Sequence, residues 1–182
     1  MHMGLRVFAL AVLLVAGGVS QAFANAATPA SAARAFYDLY IKEQVRDVPD
    51  DAARKKFAPL ISAELNKALA EAGAAEKAHF IATKNEEPPL FQGDIFSSLF
   101  EGAKSYKLGQ CAIEGPRAYC DIDLTYAEVP SEKPTTWTDK LALVKRAGGW
   151  KVDDIAFGAT WDFGQHGHLR STLAEIAQYG KE

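Results

Sequence analysis

The chain has 182 residues, 48% of them apolar and 24% charged, with 20 Lys and Arg against 23 Asp and Glu and a formal net charge of −3. That is enough apolar material for one ordinary domain with a real core. A mildly acidic balance without charge runs speaks against nucleic acid or an anionic membrane surface as partner.

The first segment does not read as part of a fold. Arg6 is the only firm positive charge near the start, Val7–Ala16 is an apolar run too short to span a bilayer, and Ala22-Phe23-Ala24 is a small-residue cleavage site. Residues 1–24 are therefore expected to be a cleavable secretory signal peptide, with cleavage after Ala26 as the alternative. No cysteine stands near the site, so no lipid anchor is expected, and no second apolar run is long enough for a transmembrane helix. Residues 25–182 are expected to fold as a single α+β domain in the periplasm, with no stable membrane anchor after signal cleavage.

Residues 31–46 read as a helix, with Ala32, Phe36, Leu39 and Tyr40 on one face. Phe57, Leu60, Ile61, Leu65, Ala68 and Leu69 recur at the same spacing, but Pro59 must interrupt them. The pattern predicts a short helix at 50–57 and a second at 60–72, with Gly73 as its C-terminal stop and a further short helix through 74–82 as an option. Residues 83–104 carry Pro88-Pro89 and no sustained period, yet hold Leu90, Phe91, Ile95, Phe96, Leu99 and Phe100. So apolar a segment should wrap over the core or line an opening.

The pattern then changes to period two. Strands are expected at 105–113 and 117–128, with Cys120, Ile122, Leu124 and Tyr126 on one face and Tyr119, Asp121, Asp123 and Thr125 on the other. With Gly115-Pro116 at the tip, Cys111 falls opposite Cys120. A two-residue loop makes that a non-hydrogen-bonded pair, close enough for a bridge, whereas a four-residue loop can reverse this parity. Two cysteines in register in an exported chain predict a disulfide, and without a C-x-x-C motif it is a structural one. Strands at 135–146 and 149–157 follow the loop 130–134, and a helix at 167–179 closes the chain. Helices, then an antiparallel meander, then a last helix indicate an α+β fold with helices packed on one sheet face.

The segments "AARAFYDLYI", "FAPLISAELNKAL", "FQGDIFSS" and "GGWKVDDIAF" resemble bacterial exported domains grouped as the domain of unknown function 3828, in the nuclear-transport-factor-two-like superfamily. The likeness spans roughly residues 30–160. It implies a cone-shaped fold, a curved antiparallel sheet with a pocket between sheet and helices, and it brings no catalytic residues. The cysteine hairpin and the tail "WDFGQHGHL" are not part of that pattern.

Candidate chemistry is sparse. Asp121, Asp123, Asp139, Asp153 and Asp154 lie on strands, and an inward carboxylate of raised pKa beside Tyr119 or Tyr126 could act as a general base. Asp121 and Asp123 read instead as a solvated face, and Asp153-Asp154 as structural. Neither a nucleophile elbow nor a phosphate-binding loop is present, and Ser97, Ser98 and Ser105 have no histidine in local context. Asp94 reads as the cap of a helical turn or a group at a pocket rim.

The aromatic residues Phe91, Phe96, Phe100, Tyr106, Trp137, Trp150, Phe157 and Trp161 mostly belong to a core. The surplus at 90–100 can form an apolar pocket mouth or a protein-binding patch. The candidate pocket or partner-binding residues are thus Asp94, Phe91, Phe96, Phe100, Trp137 and Trp161. His166 and His168, with Asp162, could suggest a metal, but two residues apart at a helix start they diverge, and His79 is far away. The tail reads as a hinge in which Trp161 and Phe163 anchor the closing helix; no metal and no cofactor are expected.

Two function classes follow. The favoured one is a secreted, periplasmic, non-enzymatic binding module for a protein partner, one version being an immunity or inhibitor protein, or for a small apolar ligand. The alternative is a small isomerase- or lyase-like enzyme using a pocket Asp/Tyr pair.

Overall fold

The computed structural model describes residues 27–129 and 131–179; the expected signal peptide lies outside them. Helix α1 (Pro29–Glu43) begins where Thr28 and Ser31 cap each other reciprocally and Pro29 occupies the first turn. It buries Ala32, Ala33, Phe36, Tyr37 and Tyr40 along one stripe and ends at Gln44, a left-handed cap whose N–H donates to the Tyr40 carbonyl. Helix α2 (Asp51–Phe57) starts on the Asp50 side chain, which accepts from the Ala53 N–H at 2.7 Å.

Helix α3 (Ala63–Ala82) starts on Ser62 and runs unbroken for 20 residues, about 30 Å. Its start and its length both correct the sequence reading. A turn ends at Leu60 and Ile61 bridges to Val152: the Ser62 N–H donates to the Val152 carbonyl and the Val152 N–H to the Leu60 carbonyl, at 2.7 and 2.9 Å. Gly73 does not stop the helix either. Ala72, Ala74 and Ala75 flank it with strong helix formers, which hold the helix across a residue that costs only about 1 kcal/mol there.

Strands β1 (Ser105–Glu114), β2 (Arg117–Tyr126), β3 (Thr135–Arg146), β4 (Gly149–Phe157) and the two-residue β5 (Gly167–His168) form one antiparallel meander in chain order. The sheet is curved and unclosed, and helix α4 (Leu169–Tyr179) completes an α+β architecture. The closing helix therefore starts two residues later than its periodicity suggests, because Gly167 and His168 first pair with Phe157 and Ala156.

The hairpin register is the one derived from its cysteines: Glu114 faces Arg117, Ile113 faces Ala118 and Cys111 faces Cys120. A disulfide joins the last pair, with Cα atoms 4.1 Å apart. Farther from the turn the register slips by one across a bulge, so Leu108 faces Ile122 and Tyr106 faces Leu124. The slip keeps Tyr106, Leu108 and Cys111 all on the inner face, which period-two counting through Gly109-Gln110 would not.

α1 lies against that inner face. Phe36 meets Phe57 and Phe96, Tyr40 meets Phe96, and Tyr37 packs edge-on against both Phe36 and Tyr40, with ring centroids 5.3–6.4 Å apart. Leu169, Leu173 and Ile176 of α4 join the same core.

Two changes test this frame. A Cβ at Gly73 would meet its nearest non-helical neighbours at 3.7 and 3.9 Å, ordinary contact. Gly73→Ala should therefore stabilise the protein by about 0.5–1 kcal/mol, read as a higher urea midpoint at unchanged m. Replacing both cysteines by alanine should cost about 2–3 kcal/mol in the same assay.

Candidate functional site

Period two puts Trp137, Asp139 and Leu141 of β3 on the inner face, and all three are buried, Asp139 completely. An ionised carboxylate there must find donors or lose its charge. Asp139 finds four. Its Oδ2 accepts the Ser98 N–H at 3.0 Å and the Trp137 indole N–H at 3.3 Å; its Oδ1 accepts the Gly158 N–H at 2.9 Å and the Ser98 hydroxyl. Gly158 reaches it only because it lacks a side chain, since a Cβ would lie 2.0 Å from the Thr138 carbonyl oxygen. Burial raises the Asp139 carboxyl in spite of these donors.

Asp94 is the second buried carboxylate, 3% exposed. Its Oδ1 accepts the Phe96 N–H and its Oδ2 the Tyr40 hydroxyl, both at 2.8 Å. The Tyr40 oxygen in turn accepts the Ala103 N–H at 2.8 Å. The Asp94 carboxylate thus closes the turn at Phe96, as a cap would, and also ties it to α1. Gly102 leaves room for it, because a Cβ there would sit 2.2 Å from Asp94 Oδ2. Burial pushes the Asp94 carboxyl up to about 7, while Tyr40, the Phe96 N–H and Arg46 pull it down. The Tyr37 hydroxyl is buried with no hydrogen-bond partner among the described residues. Burial, and then the negative charge of Asp139, raise its pKa.

The other candidates fall in three places. Phe96 is core and Phe91 packs half-buried against it, while Phe100 is 47% exposed with the Arg46 guanidinium over its ring at 5.2 Å. Trp161 meets buried Trp137 edge-on at 5.9 Å. Phe163 does not anchor the tail in the core: it is 76% exposed and stacks on Trp161 at 5.6 Å. The tail is held instead by Gln165, whose amide donates to the Asp94 and Ser97 carbonyls, and by Asp154. The Asp154 carboxylate pairs with His168 Nδ1 at 3.1 Å and accepts the Arg170 N–H at 3.0 Å.

On the outer sheet face Asp121 pairs with Lys140 at 3.1 Å and Asp123 accepts from Thr138 at 2.8 Å. His166 and Asp162 are exposed, and His79 Nε2 lies 2.9 Å from the Pro88 carbonyl oxygen. No group of three or more His, Cys, Asp or Glu able to hold a metal converges among the described residues.

A groove of about 800 Å³ runs along α3, between that helix and the segment Val48–Arg54. Leu69, Gly73, Phe80 and Ile81 of α3 line it, with Val48 close to Gly73. Asp51 and Arg54, paired at 2.9 Å, line it together with Lys77 and Lys84. Glu76 sits between this groove and an adjoining cavity of about 390 Å³. Its carboxylate accepts the Leu90 N–H at 3.1 Å, and burial raises its pKa.

None of the six sequence candidates lines this groove. The signal for it was the stretch "ALAEAGAAEKA", a helix side of small residues that leaves a channel where larger ones would close it. No family model, curated protein or solved structure matches the chain.

The Asp94 shift has a definite sign. An unfolded-chain Asp titrates near pH 4, and the folded state holds its proton up to about 7. Its contribution to stability therefore declines as pH rises from about 4 to about 7. Asp94→Asn should gain on the wild type across that window, measured by urea unfolding at several pH values; a constant difference would contradict the assignment.

Proposed function

We propose that this protein is a secreted, periplasmic binding module that receives a small apolar ligand in the groove between α2 and α3. The observation that carries the reading is the groove itself. Its volume of about 800 Å³ lies within the range of ligand sites, and Val48, Leu69, Phe80 and Ile81 line it beside charged groups of both signs. The Cys111–Cys120 disulfide fits an oxidising compartment, and no helix among the described residues is long and apolar enough to cross a membrane. Placement among the cone-shaped, nuclear-transport-factor-two-like folds draws support from helices packed on one face of a curved antiparallel sheet.

An inward Asp beside a Tyr does exist, as Asp94 with Tyr40. It gives the isomerase- or lyase-like alternative little to work with. Asp94 is enclosed, and Asp139 spends its oxygens on four donors of its own chain, which fills the roughly four acceptor sites of a carboxylate.

A neutral apolar dye such as Nile red tests the reading. It should bind saturably at one site, and Ala74→Phe, which adds a ring at an exposed position on the groove wall, should weaken binding at least about fivefold (on the order of 1 kcal/mol) without lowering the melting temperature. Dye binding that ignores the ring, or never saturates, would sink the groove as the site.

A further inference from the structure

We infer that residues 87–92 form a flap latched to α3 by Glu76 and His79, and that it closes over a neutral Glu76 side chain and loosens over a charged one. The flap is lightly held. Among the described residues, the chain from Glu87 to Gln92 makes two hydrogen-bonded contacts with the rest of the molecule, and both go to α3. The Leu90 N–H is shared between the two Glu76 carboxyl oxygens, at 3.1 and 3.2 Å, and the Pro88 carbonyl oxygen lies 2.9 Å from His79 Nε2. A carbonyl can only accept, so Nε2 carries the hydrogen of that bond whether or not the ring is charged. Pro88 and Pro89 have no N–H to offer.

Both ends of the flap are fixed. On one side the Asn85 N–H donates to the Phe80 carbonyl at 2.9 Å and the Glu86 N–H to the Thr83 carbonyl at 3.0 Å. Lys84 and Asn85 turn the chain there with left-handed backbone, φ 53° and 60°. On the other side the Gly93 N–H donates to the Asp47 carboxylate at 2.9 Å, and its carbonyl accepts the Asp47 N–H at 2.6 Å. The stretch between can lift while both ends stay in place. Pro89 lines the cavity beside the groove, so the flap forms part of that cavity's wall.

The switch lies in how few donors Glu76 receives. It is 8% exposed, yet its two oxygens share one N–H, where Asp139 has four donors. An ionised carboxylate has room for about four, so covering the neutral form costs less than covering the charge. Burial accordingly raises the Glu76 carboxyl, while the Leu90 N–H and His79 pull it down and Asp47, from the α1–α2 connection, pushes it up. Glu43, Arg46 and Asp50 of that connection line the same cavity, Lys77 lines the groove, and Glu87 of the flap stands 4.0 Å from His79. With the flap open and Glu76 in water, its carboxyl titrates near pH 4. Closed, it keeps its proton to higher pH. Closure is therefore strongest in acid and weakens as pH rises from about 4.

Hydrogen exchange at the Leu90 amide, followed by NMR and corrected for the intrinsic rate, tests this. Leu90 should exchange at least about tenfold faster than the amides of the central strands β2 and β3, through an opening that urea barely promotes because it exposes little surface. Its protection should fall as pH rises from about 4 towards 7. Glu76→Gln keeps an acceptor for the Leu90 N–H without the charge. It should flatten that profile and raise the protection at pH 7 by about threefold or more. The β2 and β3 amides in the same spectra report global stability, which separates the flap from the titration of Asp94. Leu90 exchanging at the rate and urea dependence of those strands would remove the flap. Protection that rises with pH, or a profile that Glu76→Gln leaves unchanged, would overturn the role of the charge. Neither outcome bears on the dye assay, which reads the groove alone.

Discussion

The fold is closed by one buried charge. Asp139 gathers donors from three parts of the chain: the irregular segment at Ser98, its own strand at Trp137 and the end of β4 at Gly158. Without it, the backbone at Ser98 would lose its tie to the sheet. A carboxylate so enclosed is costly to expose to a missing partner, because its attraction and its desolvation penalty are both large in a low-dielectric interior. Asp94 repeats the device one layer away, joining the same segment to α1 through Tyr40. Gln165 then ties the tail to that segment from outside. The long connection between helices and sheet is thus ordered by polar knots, and its Ile95, Phe96 and Leu99 fill the space beneath.

How much of this could be read from residues alone depended on the range of the interaction. The cysteine hairpin is local: tip, register and bridge follow from ten consecutive residues. The strand faces of β2 follow equally well, since alternation reports burial directly. Helix α3 was misread at both ends for opposite reasons. Its start gave way to a pairing with Val152, distant in sequence, and Gly73 was judged by its own propensity when its alanine neighbours decide the outcome.

The candidate sites show the same division. Asp139 was legible as an inward position between Trp137 and Leu141, but nothing local announces that Ser98 and Gly158 would come to it. Asp94 was legible as a turn-forming carboxylate, and its partner Tyr40 lies 54 residues away. The groove was missed for another reason. Its signal on α3 lies in small residues, Ala70, Gly73 and Ala74, and periodicity counts large ones. The aromatic residues that stood out were those the interior uses, which left Phe163 and Phe100 as the exposed exceptions.

The bulge at Gly109-Gln110 has a consequence beyond packing. β1 is the first strand of an open sheet, so its outer edge has no strand neighbour among the described residues and offers a row of N–H and C=O groups to any extended chain. A bulge breaks the spacing of that row midway, leaving two short runs on either side. The opposite edge is shielded by the Leu60–Ser62 contact with Val152 and by β5. The slip that keeps Tyr106 and Cys111 facing inward therefore also denies another chain a long, even template, and so guards the molecule against growing into a polymer through its own sheet.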